Sequence, residues 1–484
     1  MAGYPPTVLF HSLDYIVFLP LTALIFWGVA REHRLVVLGL ASLLFYGSWN
    51  PAYLPVMILV ITVGWLGGQW IASWRNFTGT SIRQIVVMGL LLLPLLFFKY
   101  WDWIAENIEA AIGLTGIGAE FPRVGLVLPV GISFFSFQAL AYVIDVARKA
   151  RKGEDAAEHD LWRFTTFQTF FPQLVAGPIV RRKQLLPQLT QLPPLGRDQV
   201  GAGIYRIARG FAKKVLVADV MRVSMVDPVF ADPSRFTGLE LLVALYAYTL
   251  QIYYDFSGYT DIAIGSARLF GIELPENFDR PYKATTVAGF WRRWHITLSN
   301  WVRDYIYFPL GGARVDKKWK IYRNLMLTML IIGIWHGASW NFVVYGLLHG
   351  TATSVNRYFR KKSGRGLNDP LPNWWAWLWR WFLTFHFVVL ARILFRAEDL
   401  PKAWSLALGL FDATFVMPRF APLAWMVLFA GYAVHFTPSR WSDDTEAWFE
   451  RQEPVVWAIV CALVGAAVFQ MGTGEHLAFV YYQF

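Results

Sequence analysis

The chain has a single cysteine, Cys461, in 484 residues. That excludes an internal disulfide and any metal site built on several thiolates, and its place in the apolar run Val455 to Gln470 makes it inert lipid-facing or packing filler. Charge is scarce too: Asp, Glu, Lys and Arg make up 16% of the residues, against 56% hydrophobic and 17% aromatic. A soluble domain cannot bury that much apolar surface, so a bilayer is the natural solvent. Familiar site motifs are also missing. There is no G-x-S-x-G elbow, H-E-x-x-H pair, Walker loop or dinucleotide fingerprint. Most other enzyme classes fall away with them, and no metal or permanently bound cofactor is expected.

What is present is a succession of apolar runs. A helix crossing about 30 Å of hydrocarbon needs about 20 mostly apolar residues. Leu13 to Ala30, Leu35 to Ser48, Leu54 to Ser73 and Ile85 to Phe98 are the first four, followed by Val124 to Val146. Later come Leu325 to Trp335, Ala338 to Ser354, Trp375 to Leu394, Leu423 to Phe436 and Val455 to Gln470. These predict an all-α polytopic membrane protein of about eleven transmembrane helices plus re-entrant segments, with no clear internal repeat. One integral domain is expected over 1–484, with N-terminal spans in 1–110, a core in 120–355 and C-terminal spans in 370–484. The mean hydropathy of +0.39 is modest for spans alone, so polar or re-entrant segments should be interleaved. Trp162 to Leu189 is one candidate, because Pro172, Pro178 and Pro187 interrupt it while its apolar character persists.

The net charge of +11 is not a nucleic-acid footprint. Its basic residues fall in short clusters between apolar runs: Arg148, Lys149, Arg151 and Lys152; Lys317, Lys318 and Lys320; Arg360, Lys361 and Lys362. Cytoplasmic loops beside anionic membrane lipid have that distribution, and some of the charge suits a phosphate-bearing donor. The first apolar run has no basic residues ahead of it and no small-residue cleavage site behind it, so it reads as a retained span. Arg31 and Arg34 follow it, which places the N-terminus outside the cytoplasm.

Two acids, Asp255 and Asp261, lie in the apolar stretch YYDFSGYTDIAIG. They either line a polar tunnel or each pair with a nearby arginine to hold helices together. The densest polar-aromatic stretch is Phe290 to Gly312, holding Arg292, Arg293, His295, Ser299, Asn300, Arg303 and Asp304. His295 and Ser299, four apart, are expected on one helical face. His336 follows the apolar run LMLTMLIIGIW, and an ionisable group at that depth is a functional hypothesis by default. As a neutral imidazole it suits a general base that takes the proton of an attacking hydroxyl while a thioester opens. The alternative is a core histidine bonded to a neighbouring helix. His349, on a helix continuous with His336, would point about 140° away and so be structural. His11, His159 and His476 give no signal.

Several long motifs, in order, resemble the membrane-bound O-acyltransferase (MBOAT) family, and within it the branch serving alginate O-acetylation. They are LFHSLDYIVFLP, LPVGISFFSFQALAYVID, FFPQLVAGPIVR, YYDFSGYTDIAIG, FWRRWHITLSNWVRDYIYFPLGG, IWHGASWNF and the terminal YYQF. The resemblance implies a core with a central tunnel in the bacterial inner membrane, an N-terminus in the periplasm, and catalytic roles for His336 and His295. Arg303, Asp304 and Asn341 become weaker candidates for orienting groups, alongside Ser299, Asp255 and Asp261. It implies acetyl-CoA as donor on the cytoplasmic side. It also implies a periplasmic SGNH-type acetyltransferase as partner, through which the acetyl group reaches the polysaccharide acceptor. Alginate is the first expectation. Peptidoglycan and cellulose are alternatives, and D-alanine transfer toward teichoic acid ranks third. A transporter or channel, with the same residues as a relay, and a scaffold that anchors glycan-modifying enzymes are the competing classes. Neither transporter half-repeats nor paired broken helices support the former.

Overall fold

A computed structural model of the chain describes residues 13–116, 118–366, 369, 371–414 and 418–472. Among the described residues every regular element is helical. His11, His476 and the YYQF terminus lie outside them. Among the described residues three helices are long and apolar enough to cross a bilayer: Pro51–Ala72, Ile82–Gly113 and Trp374–Arg396. Asp14–Gly28, Pro422–Phe436 and Pro454–Ala467 are shorter apolar helices. Trp374, Trp375 and Trp379 stand exposed at the start of Trp374–Arg396, where a membrane interface favours amphipathic rings.

The segment from Val124 to Val146 is not one continuous helix. Its first part carries no regular structure, and the helix Ile132–Ala150 begins only after Gly131, whose φ of 74° is left-handed. A Cβ there would sit 2.7 Å from the Leu174 carbonyl oxygen, so only glycine fits. The proline-broken stretch does break, into the short helices Leu161–Thr169, Phe171–Leu174 and Arg182–Thr190. Phe164, Phe167, Phe170 and Phe171 within it are fully buried. Irregular backbone is therefore enclosed by protein there, the condition under which membrane depth tolerates it.

The chain forms two compact units. The first comprises Met1–Arg209, Tyr259–Pro275 and Asp444–His476. In it Leu54–Ala72, Ile82–Leu95 and Ile132–Ala150 pack on one another. Arg206 and Arg209, from Arg197–Ala212, both reach Asp261, at 2.9 and 2.8 Å. Buried ion pairs of this kind let a helix carry charge at membrane depth.

The second unit comprises Gly210–Gly258 and Glu276–Asp443. Its organising element is an antiparallel hairpin of the helices Lys318–His336 and Trp340–Lys362. Small residues make the hairpin tight. A Cβ on Gly346 would come within 2.7 Å of the Met329 carbonyl oxygen and 2.9 Å of the Leu330 Cα. Glycine at such crossings lets backbones approach where lipid supplies no hydrophobic drive for helix association. The chain reverses at Gly337, which is extended at φ −169°. That reversal corrects the continuous-helix geometry used to turn His349 away from His336: the two histidines stand on opposite arms.

Lys317 precedes the first arm, and Arg360, Lys361 and Lys362 close the second. Both basic clusters thus share the open end of the hairpin. His336 is the last residue of the first arm, about 28 Å away at 1.5 Å per residue.

Candidate active site

His336 is 2% exposed. Its ring lies 5.1 Å from Trp335, 5.0 Å from Phe395, 6.2 Å from Tyr345 and 6.3 Å from Phe342, centroid to centroid. Gly337 permits this packing, because a Cβ there would run into the Phe342 ring. Phe395 also meets the buried Arg392 guanidinium, which lies 5.5 Å from its ring and 4.5 Å from that of Trp294. The cage is thus aromatic with a cation behind it.

His295 is fully buried and does not lie within a helix. It is the residue ahead of Ile296–Val302, held left-handed at φ 44°. For a non-glycine residue that conformation costs of order 1–3 kcal/mol and persists only when the surroundings fix it. Asn277 does so. Its Oδ1 accepts from the Thr297 backbone N–H at 3.2 Å, from the Thr297 hydroxyl at 2.9 Å, and lies 3.1 Å from His295 Nδ1. A backbone N–H only donates, so this atom is the amide oxygen, and His295 must present Nδ1–H to it. The lone pair of the neutral ring is then on Nε2. Trp335 connects the two histidines, 5.7 Å from His295 and 5.1 Å from His336.

The weaker candidates go elsewhere. Ser299 stands one turn on from His295, its N–H bonded to the His295 carbonyl at 3.0 Å and its hydroxyl to the Trp294 carbonyl at 3.3 Å. Arg303 and Asp304 pair with each other at 2.7 Å, the arginine side chain half exposed. Asn341, 2% exposed, donates to the Ala397 carbonyl at 2.7 Å and ties the hairpin tip to the end of Trp374–Arg396. Asp255 pairs with a lysine instead of an arginine: Lys214 Nζ lies 2.7 Å from it and 2.8 Å from Asp219. Asp261 belongs to the first unit and is held by Arg206 and Arg209.

His349, 1% exposed, accepts a hydrogen bond at Nδ1 from the Trp291 indole N–H, 3.1 Å. Tyr345, one turn earlier, packs against it at a tilt, 4.4 Å between ring centroids, and bridges to His336. Beside this hairpin arm lies a cavity of about 380 Å³. Arg360, Arg365 and Arg380 line it with Thr286, Asn356 and Phe387. Phe387 is also 5.0 Å from the His349 ring, so one end of the cavity abuts the aromatic cluster. His336 itself does not line it.

Sequence reasoning passed over Asn277, Arg392, Arg365 and Arg380, which carry no periodic or spacing signal. Trp291 went unremarked inside FWRRWHITLSNWVRDYIYFPLGG, while Arg360 stood in a basic cluster already read as suiting a phosphate-bearing donor.

The sequence model of the MBOAT, membrane-bound O-acyltransferase, family matches residues 68–395. "Probable alginate O-acetylase AlgI" of Azotobacter vinelandii is 37% identical over 400 residues, which is 82% of this chain and 76% of that relative. The protein of the same name from Pseudomonas putida is 32% identical over 494 residues, 97% of this chain and 98% of that one. "Peptidoglycan O-acetyltransferase" of Helicobacter pylori is 36% identical over 398 residues, 77% and 73% of the two chains. An all-helical chain with membrane-length apolar helices, matched over most of its length by acyl-transferring relatives, belongs to the membrane-bound O-acyltransferase family and is a membrane acyltransferase.

Proposed function

We propose that the protein takes an acetyl group from acetyl-CoA at the cytoplasmic face of the bacterial inner membrane and delivers it outward. The destination is O-acetylation of an extracytoplasmic polysaccharide, alginate before others, through a periplasmic SGNH-type acetyltransferase. The observation that carries this reading is the hairpin. One end gathers the basic clusters that belong in the cytoplasm, and the other holds a buried histidine about 28 Å away. That separation matches the hydrocarbon thickness a group must cross.

The cavity supports the donor's entry side. Its three arginines outnumber its one carboxylate, Asp369, and suit a donor that carries phosphates, since a guanidinium meets phosphate oxygens bidentately. Its apolar end at Phe387 suits the thioester arm. In this reading His336 takes the proton of the acceptor hydroxyl, and His295, with its lone pair on Nε2, orients the acceptor or relays that proton. The remaining helices complete about eleven spans around a central tunnel, with the N-terminus in the periplasm.

The test is mass spectrometry of surface glycans from cells carrying the wild-type chain or His336→Ala. Loss of acetylation from one polymer is expected, and its identity names the acceptor. Unchanged acetylation in His336→Ala cells, with the protein present in the membrane, would overturn the reading. Peptidoglycan is the second reading, favoured by the Helicobacter pylori relative at nearly the same identity as the alginate ones. Loss of acetyl groups from muramic acid in the same experiment would decide for it.

A further inference from the structure

One buried polar atom at the site has no task in the scheme above: Nε2 of His349. Trp291 donates its indole N–H to Nδ1 at 3.1 Å. An indole N–H has no acceptor capacity, so Nδ1 carries the lone pair and the proton of the neutral ring sits on Nε2. That N–H has no hydrogen-bond partner among the described residues, although the side chain is 1% exposed. Buried donors are satisfied in native structures with few exceptions, and an exception calls for a reason. Its position supplies one. Tyr345 packs at a tilt on the His349 ring and edges the His336 ring, while Phe387 touches His349 and lines the arginine-bearing cavity. His349 is therefore linked through Phe387 to the cavity and through Tyr345 to the proposed base.

We propose that the His349 Nε2–H binds the carbonyl oxygen of the thioester donor and stabilises the oxyanion that forms there, with Trp291 as the positioning residue that fixes its tautomer. This rests on the reading of His336 as the base. The acceptor oxygen attacks the carbonyl carbon, a C–O bond forms, and the hydroxyl proton passes to His336. The C=O π pair moves onto oxygen, where the His349 N–H meets it. Collapse restores C=O and breaks C–S, and the sulfur leaves with the bonding pair and takes the proton from His336. His349 stays neutral throughout, so its N–H is in place before charge develops.

The test uses the full chain purified in detergent, with acetyl-CoA as donor, water as the attacking hydroxyl, and thiol release as readout. Four variants are compared with wild type: His336→Ala, His349→Gln, His349→Met and Trp291→Phe, each scored per monodisperse protein. Gln keeps an acceptor for the Trp291 N–H and an N–H donor; Met keeps bulk and neither. The expected result is a kcat about 10²–10³-fold lower for His349→Met, as for loss of an oxyanion-hole donor, with KM within about threefold. His349→Gln should hold kcat within about tenfold of wild type. Trp291→Phe leaves His349 in place but frees its tautomer, and kcat should fall about tenfold or more at unchanged KM. A purely structural His349 would move stability and leave kcat of the folded fraction alone. Wild-type kcat in His349→Met overturns the proposal; should that variant not fold, wild-type kcat in Trp291→Phe does so. If His336→Ala is as active as wild type, it is the underlying assignment of the base that fails.

Discussion

Asn277 offers the sharpest test of the site, because two substitutions there should separate folding from chemistry. Its Oδ1 holds three donors: the Thr297 N–H, the Thr297 hydroxyl and His295 Nδ1–H. Asn277→Ala strands all three in a region where Asn277 and His295 are both fully buried. An unsatisfied buried donor costs about 1–3 kcal/mol, and three within one network give a loss of about 3–6 kcal/mol after relaxation. The left-handed His295 backbone would also lose its restraint. Asn277→Asp is the informative partner. It keeps an oxygen for all three donors and forfeits only an amide N–H that has no partner among the described residues. Its negative charge, however, is compensated most simply by a second proton on His295, which converts Nε2 from acceptor to donor. The expectation is that Asn277→Asp unfolds near the wild-type temperature yet transfers acetyl at least about tenfold more slowly. Asn277→Ala should be strongly destabilised. Thermal unfolding of the detergent-solubilised chain and acetyl-CoA turnover on the same samples decide it. An Asn277→Ala protein that melts with wild type, or an Asn277→Asp protein at full activity, refutes the tautomer argument.

Lys214→Met leaves the Asp219 and Asp255 carboxylates facing each other without their cation, a loss of about 3–5 kcal/mol that adding Asp219→Asn should partly restore; unfolding temperatures of the single and double variants check it. Arg365→Ala and Arg380→Ala should each raise the KM for acetyl-CoA about tenfold with kcat little changed, and the effect should shrink as salt rises. A KM unmoved at low ionic strength would remove the donor from that cavity. Phe387→Ala, by opening the apolar end toward His349, should improve use of butyryl-CoA relative to acetyl-CoA by about tenfold, read from the ratio of kcat/KM values.

The helical class and the apolar setting of His336 were legible in the sequence, since both follow from hydropathy. So was the break around Pro172 and Pro178, because proline acts locally, although Pro187 sits inside the helix Arg182–Thr190. The helix from Arg197 onward was not. Its Arg206, Lys214 and Asp219 are all less than 10% exposed, but hydropathy scores each as a solvent group and cannot see the partner that buries it. The turn at Gly337 escaped for another reason. Nothing in IWHGASW breaks a helix by itself; the reversal depends on Gly333 and Gly346 meeting across the two arms, a contact between positions 13 apart. Asn277 reaches His295 across 18 residues of largely irregular chain, where neither period applies.

The two flanking imidazoles are held as opposite tautomers, and that has a consequence for how the site works. At His295 an oxygen fixes the proton on Nδ1 and leaves Nε2 as an acceptor. At His349 an indole fixes the lone pair on Nδ1 and leaves Nε2 as a donor. Each is set by a rigid neighbour, so neither must reorganise when substrate arrives, which is the condition for electrostatic help at the barrier. His336 shares Trp335 with one and Tyr345 with the other. If His336 is the base, as proposed, an acceptor and a donor linked to it in this way match an attacking hydroxyl and a carbonyl oxygen. The aromatic cage around it serves the same end, since water admitted there would compete with the acceptor for the acyl group.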